Sequence, residues 1–254
     1  MLSRLFASVR RTGPIRKASV PPGTLVYAVG DIHGRLDLLR AAHERILADA
    51  RAATVARKVV VYLGDYIDRG SDSRQVIDLL IDEPLPGFHA VHLKGNHEQA
   101  LLDFLMDIDV AAEWFAFGGD ATLSSYQVAR PVPGGGPDAL RKVQSDLRAR
   151  LPERHFAFYR SLSLSHHEGD YVFVHAGIRP GLPLDAQDEH DLMWIRDEFL
   201  KSTVDHGCVV VHGHSITPRP DVKGNRIGID TGAYATGRLT CLRLELDERE
   251  FLTS

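Results

Sequence analysis

The stretch VVVYLGDYIDRG, Val59 to Gly70, decides how the whole chain folds. Five apolar or aromatic residues, a run typical of a buried strand, are followed abruptly by Asp65, Asp68 and Arg69 between two glycines. Ionised groups at the edge of a core are costly unless they are paired or bind a metal. The stretch therefore predicts a buried strand that delivers charged groups to a binding site.

Length and composition are those of an ordinary globular protein. The chain has 254 residues, which is enough for one large α/β domain or two small ones. Of these residues 44% are hydrophobic and 25% are charged. No apolar segment comes near the length of a membrane span, which needs about 18 or more continuous apolar residues. Cys208 and Cys241 lie far apart in apolar runs, which argues against a disulfide scaffold. We therefore expect a reducing compartment and a cytoplasmic location.

Charge is distributed unevenly along the chain. Residues 1–24 carry five basic residues and no acid, so the rest of the chain has a net charge of about −9. The scattered apolar residues of this segment do not form the core of a secretory signal, and we expect a flexible basic tail. The acidic remainder argues against nucleic acid as a partner, because phosphate backbones select basic surfaces.

The order of predicted elements indicates an α/β protein. Three strands alternate with helices over residues 36–50, 72–81 and 97–106, an order that builds a parallel sheet. A helical insertion is predicted from about residue 110 to 158. The strands that follow are closely spaced, so we expect the second sheet to be more antiparallel. The prediction is one domain over residues 25–254, with two packed mixed sheets flanked by helices.

Polar motifs follow five of the predicted strands. They are GDIHG (30–34), GDYIDRG (64–70), GNHE (95–98), VHAG (174–177) and VHGHS (211–215). In open α/β sheets, ligands bind beyond the carboxyl ends of the strands. We therefore expect one edge to collect the polar residues of these motifs, which are Asp31, His33, Asp65, Asp68, Arg69, Asn96, His97, His175 and His214.

The residue types in these motifs point to divalent metals. Aspartate, histidine and asparagine bind ions of intermediate hardness, and the absence of thiolates argues against a structural zinc site. Each motif alone also has a purely structural interpretation, as a Gly-Asp turn, a helix cap or a core histidine. Five such motifs in order, each at a strand end, favour a metal site. A carboxylate such as Asp65 bridging two ions about 3.5–4 Å apart is suited to displacement at phosphorus.

The five motifs together resemble those of the calcineurin-like metallophosphoesterases. The most similar branch is the phosphoprotein phosphatases of bacteria and phages, and the resemblance runs from about Leu25 to Leu246. It implies a sandwich of two mixed β-sheets between helices, which agrees with the predicted order of elements.

The resemblance also implies a set of ligands for two divalent metal ions. Manganese is expected first, with iron or zinc as alternatives. The implied ligands are Asp31 and His33 for the first ion, Asp65 as the bridge, and Asn96, His175 and His214 for the second. His212 lies two positions before His214 on the same strand face, and whether it is a ligand or a neighbour of the ligands stays open.

Further residues are implied to act on the substrate. His97 would be the general acid on the leaving oxygen, oriented by Asp68. Arg69 and Arg196, the latter in MWIRDE, would bind the phosphoryl oxygens together with the Asn96 amide, since guanidinium groups match phosphate in a two-pronged manner.

Aromatic residues provide two less specific candidates. The segment WFAFGGDATLSSY (114–126) in the insertion is predicted to border the pocket, either gripping a substrate or simply packing between helices. Tyr234, after GIDTG, is a similar candidate for contact with substrate at the rim.

The implied activity is hydrolysis of phosphoserine and phosphothreonine in proteins, extending to phosphotyrosine, by direct attack of a metal-bound hydroxide. The alternative is a hydrolase of dinucleoside polyphosphates or other small phosphoesters. Symmetrical dinucleoside tetraphosphate hydrolases typically have a small residue in place of Asp68 and end the third motif in Asp, whereas this chain has Glu98 there. Both positions favour the protein phosphatase. Neither cysteine begins a phosphate-binding loop, which argues against a cysteine-based phosphatase. No G-x-x-x-x-G-K-[ST] loop is present, so nucleotide hydrolysis of the P-loop kind is not supported. The oligomeric state stays open.

Overall fold

Residues 17–253 are described by the computed structural model, and their strands form two five-stranded mixed sheets. The first sheet has the order β10-β9-β1-β2-β3, formed by β1 (Thr24–Val29), β2 (Arg57–Tyr62), β3 (His89–His92), β9 (Thr240–Glu245) and β10 (Glu248–Thr253). The second has the order β4-β5-β6-β8-β7, formed by β4 (Ser165–Glu168), β5 (Tyr171–Val174), β6 (Val209–His212), β7 (Asp221–Val222) and β8 (Arg226–Gly228).

Helices cover the outer faces of both sheets. Those of the first half are α1 (Leu36–Ala50), α2 (Ser73–Asp82) and α3 (Asn96–Met106). The insertion contributes α4 (Ala111–Ala116), α5 (Gly119–Ser125), α6 (Gly136–Arg150) and α7 (Glu153–Ser161), and a 3-10 turn, Ile108–Val110, precedes it. The second half holds the short helices α8 (Glu189–Trp194), α9 (Asp197–Leu200) and α10 (Ala233–Thr236), and a 3-10 turn, Leu184–Ala186.

The two sheets pack face to face through an apolar layer. Alternate residues of β1 and β2, such as Val26 and Val59, belong to the same buried cluster as Phe173 of β5 and Val211 of β6. The opposite residues of β1 and β2 pack against α1, α2, α3 and the insertion. Burial on both faces explains why these strands are continuous apolar runs in the sequence.

The register of the parallel strands places their carboxyl ends level with one another. In the first sheet Val29 lies opposite Tyr62, and Tyr62 lies opposite His92. In the second sheet His212 of β6 lies opposite Gly228 of β8. The loops that follow these strands therefore begin at the same edge of the sandwich.

The predicted fold is confirmed, with two differences. The core of the second sheet is parallel rather than antiparallel, because β5 pairs with β6 and β6 with β8 in parallel. The connection from β5 to β6 contains α8 and α9, which supply the crossover that parallel strands need but are too short to show a helical period. The second difference is that β9 and β10, which come from the second half of the chain, belong to the first sheet and not to the second.

The predicted basic tail over residues 1–24 extends too far. Ala18 and Val20 are buried, and Val20 N–H donates to the carbonyl of Leu246. Residues 17–24 are therefore part of the folded body, and the remainder of the predicted tail, residues 1–16, lies outside the described residues. Among residues 17–253, no helix is long and apolar enough to cross a bilayer.

Candidate metal centre

Strained backbone is concentrated where the strand-end loops meet. Seven non-glycine residues of the described chain have positive φ, and five of them lie in the predicted motifs. Left-handed backbone is unfavourable for residues with a side chain, so it persists where the surrounding structure enforces it. The five are His33, Asp65, Asp68, Arg69 and His214.

Asp65 lies at the centre of the site. Its Oδ2 is 3.5 Å from His33 Nε2 and its Oδ1 is 3.4 Å from His175 Nε2, so the two oxygens face different histidines. Two groups of potential ligands share this carboxylate, His33–Asp65–His97 and Asp65–His175–His214, and within each group the ligand atoms lie within 4.8 Å of one another. A carboxylate shared by two such groups would be a ligand to both of two neighbouring cations.

Asn96 brings the second group together. Its Oδ1 is 2.9 Å from His175 Nε2 and 2.9 Å from His214 Nδ1. The three residues come from the start of α3 and from the loops after β5 and β6. A cation bound by these donors would replace the contacts that they now make with one another.

Asp31, which the resemblance implied for the first ion, lies outside both groups of potential ligands and contacts the second group. Its Oδ2 accepts the N–H of His214 at 2.9 Å, while its Oδ1 is buried and has no hydrogen-bond partner among the described residues. His214 Nε2 is also buried and unpartnered within that part of the chain. Buried polar atoms are normally satisfied, so these two atoms fit a site built for cations.

The electrostatics of the site also fit cations. Burial, followed by the charges of Asp230 and Asp65, raises the pKa of Asp31 well above its ordinary range. Burial likewise raises the pKa of Asp65 and lowers the pKa of His175 to about 3. Neutral imidazole is the form that binds metal, and crowded buried carboxylates are stabilised by positive charge. The donor set therefore suits divalent ions.

His97 forms a hydrogen bond with Asp68. Its Nδ1 lies 2.7 Å from Asp68 Oδ2, and both side chains are buried. Its Nε2 lies 3.7 Å from Asp65 Oδ2 and 3.3 Å from Arg69 Nη2. The ring therefore presents Nε2 to the space between the Asp65 carboxylate and the Arg69 guanidinium.

The predicted substrate residues surround the same space. The Arg69 guanidinium lies 4.6 Å above the centre of the Tyr234 ring, and that ring lies 5.4 Å from His33. Tyr234 is 37% exposed, so it lies at the rim. Arg196 is exposed at the start of α9, and its charge contributes to the lowered pKa of both His175 and His214. All the predicted site residues therefore meet at one edge.

His212 occupies a different environment from His214. It lies outside both groups of potential ligands, its Nδ1 faces the carbonyl of Gly213 at 3.1 Å, and its ring packs edge-on against Phe199 at 5.1 Å. The structure thus places it behind the ligand loop.

Two acidic residues of the site were not among the predicted site residues, although one of them, Glu98, lies in the GNHE motif. Glu98 is fully buried, and its carboxylate accepts the N–H groups of Asp65, Tyr66 and Gly95 at 2.9, 2.8 and 3.0 Å. Asp230 is buried, and its charge raises the pKa of Asp31. A signal for Asp230 was present, because, like the residues of the other motifs, it follows the carboxyl end of a strand, here β8.

The insertion borders the site as predicted, but Trp114 and Tyr126 do not form an exposed surface that could bind substrate. Trp114 and Tyr126 are both buried, and Trp114 Nε1 donates to Asp68 Oδ2 at 3.1 Å. The packing interpretation of the segment therefore holds for these two residues. Phe117 is closer to the surface and lies 5.6 Å from the His97 ring.

Comparisons with known proteins match the chain to one family of enzymes. A family model described as calcineurin-like phosphoesterase matches residues 24–247. Serine/threonine-protein phosphatase 2 of Escherichia coli is 26% identical over 230 residues, 87% of this chain and 93% of that protein. Bis(5'-nucleosyl)-tetraphosphatase PrpE (asymmetrical) of Geobacillus thermodenitrificans is 27% identical over 209 residues, 72% of this chain and 74% of that protein.

A solved structure shares the fold. The cold-active protein-tyrosine phosphatase of a psychrophilic Shewanella species has a TM-score of 0.55 and 19% identity, covering 92% of this chain and 83% of that one. At this identity the likeness concerns the fold alone.

Proposed function

This chain belongs to the calcineurin-like phosphoesterases, and from that premise we propose that it hydrolyses phosphoserine and phosphothreonine in proteins, extending to phosphotyrosine. The observation that carries the proposal is the buried His97–Asp68 pair at the edge of the predicted metal site, joined by a 2.7 Å contact. This pair can supply a proton to a leaving oxygen that could not depart without one.

The protonation of this pair favours donation from Nε2. Burial raises the pKa of Asp68 to about 7 and lowers the pKa of His97 to about 3, so charge is disfavoured on either partner alone. A proton added to the pair can reside on the carboxyl group or on Nδ1. With that proton bound, His97 Nε2 carries a hydrogen that it can donate, whereas in its 3.3 Å contact with the guanidinium of Arg69 it acts as an acceptor. The pair therefore acts as one acid.

The need for an acid depends on the leaving group. Cleavage of a serine or threonine phosphate expels an alkoxide, which is a poor leaving group unless it is protonated. Cleavage within a polyphosphate chain expels a phosphate oxygen that is already stable as an anion. An acid built so deeply into the site is better matched to the first reaction than to the second.

Arginines and the predicted ligands complete the proposed site. Arg69 and Arg196 would bind the phosphoryl oxygens, and the Asn96 amide would add a further donor. Two divalent ions would be held by Asp31, His33, Asp65, Asn96, His175 and His214. When bound, such ions lower the pKa of water and polarise the phosphoryl group. Manganese is the first ion to test.

Space for a larger substrate lies beside Arg69. An open cleft of about 500 Å³ begins there, and Arg69 is the one charged residue among the described residues that line it. The others offer hydroxyls, amides and one methyl group: Ser71, Gln75, Ala121, Ser124, Ser125 and Gln127. Such a lining suits the backbone of a peptide better than additional phosphates.

A second candidate function is hydrolysis of dinucleoside tetraphosphates. It is favoured by the 27% identity to PrpE, whose name states that activity, which is no lower than the 26% identity to the bacterial protein phosphatase. The two candidates share the metal centre and differ in the leaving group.

The decisive experiment is a comparison of substrates on one preparation. With manganese added, kcat/KM would be measured for phosphoserine and phosphothreonine peptides, p-nitrophenyl phosphate and diadenosine tetraphosphate. We expect the peptides to exceed the dinucleotide, and thorough chelation to abolish all activity. A higher rate on the dinucleotide would support the second candidate, and full activity after demetallation would overturn both.

The role of His97 is tested on the same substrates. His97→Ala should reduce kcat/KM for the peptides by about 100-fold or more, since general acid catalysis typically contributes at least that much. The loss on p-nitrophenyl phosphate should be small, because p-nitrophenolate leaves without a proton. Equal losses would show that His97 is not the acid.

A further inference from the structure

Asp68 is held by three side-chain donors, and two of them belong to the helical insertion. His97 Nδ1 and Trp114 Nε1 both lie on Oδ2, at 2.7 and 3.1 Å. Thr122 Oγ1 donates to Oδ1 at 2.5 Å. All four side chains are at most 1% exposed, so water does not compete for these contacts. The carboxylate therefore has donors on both oxygens, which hold its plane in one orientation.

The backbone of Asp68 is anchored by Thr122 of α5 and Ser73 of α2. Its N–H lies 3.0 Å from Thr122 Oγ1 and 3.0 Å from Ser73 Oγ. Asp68 has φ of +70°, a conformation that is unfavourable for aspartate without such support. Thr122 therefore contacts both the backbone and the side chain of this one residue.

The orientation of the indole is also enforced. Gly119, the first residue of α5, lies against the Trp114 ring so closely that a Cβ there would overlap it. Phe104 of α3 packs against the same ring, with the ring centres 4.9 Å apart. An indole confined in this way presents its N–H in one direction, towards Asp68.

We propose that Trp114 and Thr122 are positioning residues for catalysis, acting through Asp68 to hold His97 with its Nε2 directed at the leaving oxygen. The inference rests on the proposed acid role of His97. Partners behind a catalytic group commonly orient it, and their loss is felt at the group they hold. Without the two donors the carboxylate can rotate, and the imidazole loses the contact that orients it.

The test separates orientation from stability by means of the leaving group. Thr122→Val keeps the shape of the side chain and removes its hydroxyl, whereas Trp114→Phe removes the indole N–H together with part of a buried ring, so that its stability must be measured alongside. We expect kcat/KM for a phosphothreonine peptide to fall about tenfold or more, and for p-nitrophenyl phosphate less than about threefold. Thr122→Ser should restore peptide hydrolysis because it keeps the hydroxyl. Phe115→Leu, next to Trp114 but without a polar atom, is the matched control.

A second arm combines Thr122→Val with His97→Ala. If Thr122 acts through His97, it should have no further effect on the peptide once His97 is absent. Equal losses on both substrates, or a loss that persists in the His97→Ala background, would overturn the inference and show a merely structural role. If His97→Ala itself shows no preference for the good leaving group, the proposed acid fails instead. Thermal melting of each variant checks that it is folded.

Discussion

Glu98 offers the sharpest test of how the bridging carboxylate is held. Its Oε2 accepts N–H groups from Asp65 and Gly95, and its Oε1 accepts that of Tyr66. Glu98→Gln keeps the shape but must turn an amide nitrogen towards at least one of these donors. A side chain on residue 95 would overlap the backbone of Asp65, so the loop has no room to rearrange.

The magnitude follows from these contacts. A hydrogen bond to a charged group contributes about 1.5–3 kcal/mol, and the substitution loses one and weakens two others. Burial raises the pKa of Glu98 to about 7, so removing a buried charge offsets part of the loss. We expect the free energy of unfolding to fall by about 2–4 kcal/mol. Because Asp65 is the proposed ligand shared by both ions, manganese affinity should fall about 10–100-fold.

The assay is titration of the metal-depleted protein with manganese, followed by activity and by equilibrium dialysis, with urea unfolding in parallel. Glu168→Gln is the matched control, since Glu168 is a buried carboxylate on β4 that pairs with Arg57 and His166. It should alter stability without altering manganese affinity. If Glu98→Gln binds manganese within twofold of the unaltered protein, Glu98 supports the fold and not the metal site.

Three further predictions concern the rim and the core. Tyr234→Ala frees the Arg69 guanidinium from its contact with the ring, and KM for p-nitrophenyl phosphate should rise about 2–10-fold while Tyr234→Phe changes it little. Arg196→Ala should raise that KM by about tenfold if the side chain binds the phosphoryl group, and an unchanged KM would remove it from the site. Burial lowers the pKa of His43 to about 4, so the unfolded chain takes up its proton first as pH falls below about 6.5. The contribution of His43 to the loss of stability between pH 6.5 and 4 should therefore reach about 3 kcal/mol, and urea unfolding of His43→Gln should show a loss that is smaller by up to that amount.

The sequence was most informative where several signals coincided. The strand β2 could be predicted because it is apolar on both faces, and α1 because its apolar residues recur at helical spacing from Leu36 to Ala50. The polar motifs could be placed at one edge because parallel strands of one sheet end together. The predicted site residues do meet there in the structure.

Other features gave weaker signals or none. The two-residue strand β7 and the four-residue helix α9 are too short for a period to be visible. The polar strand β10 has no apolar run, since it is an edge strand that pairs only with β9 in the described chain. The parallel core of the second sheet depends on which strands pair, and pairing is set by contacts distant in sequence.

The amino-acid sequence by itself determined three things. They are the motifs, the residue types available to bind metals, and the alternation of strands and helices. Only the tertiary structure decided what holds those residues in place. Glu98 beneath Asp65, Asp230 beside Asp31, and Trp114 and Thr122 around Asp68 are contacts between segments up to about 200 residues apart. A residue's partners in a buried network depend on three-dimensional packing, which no spacing rule within one segment can encode.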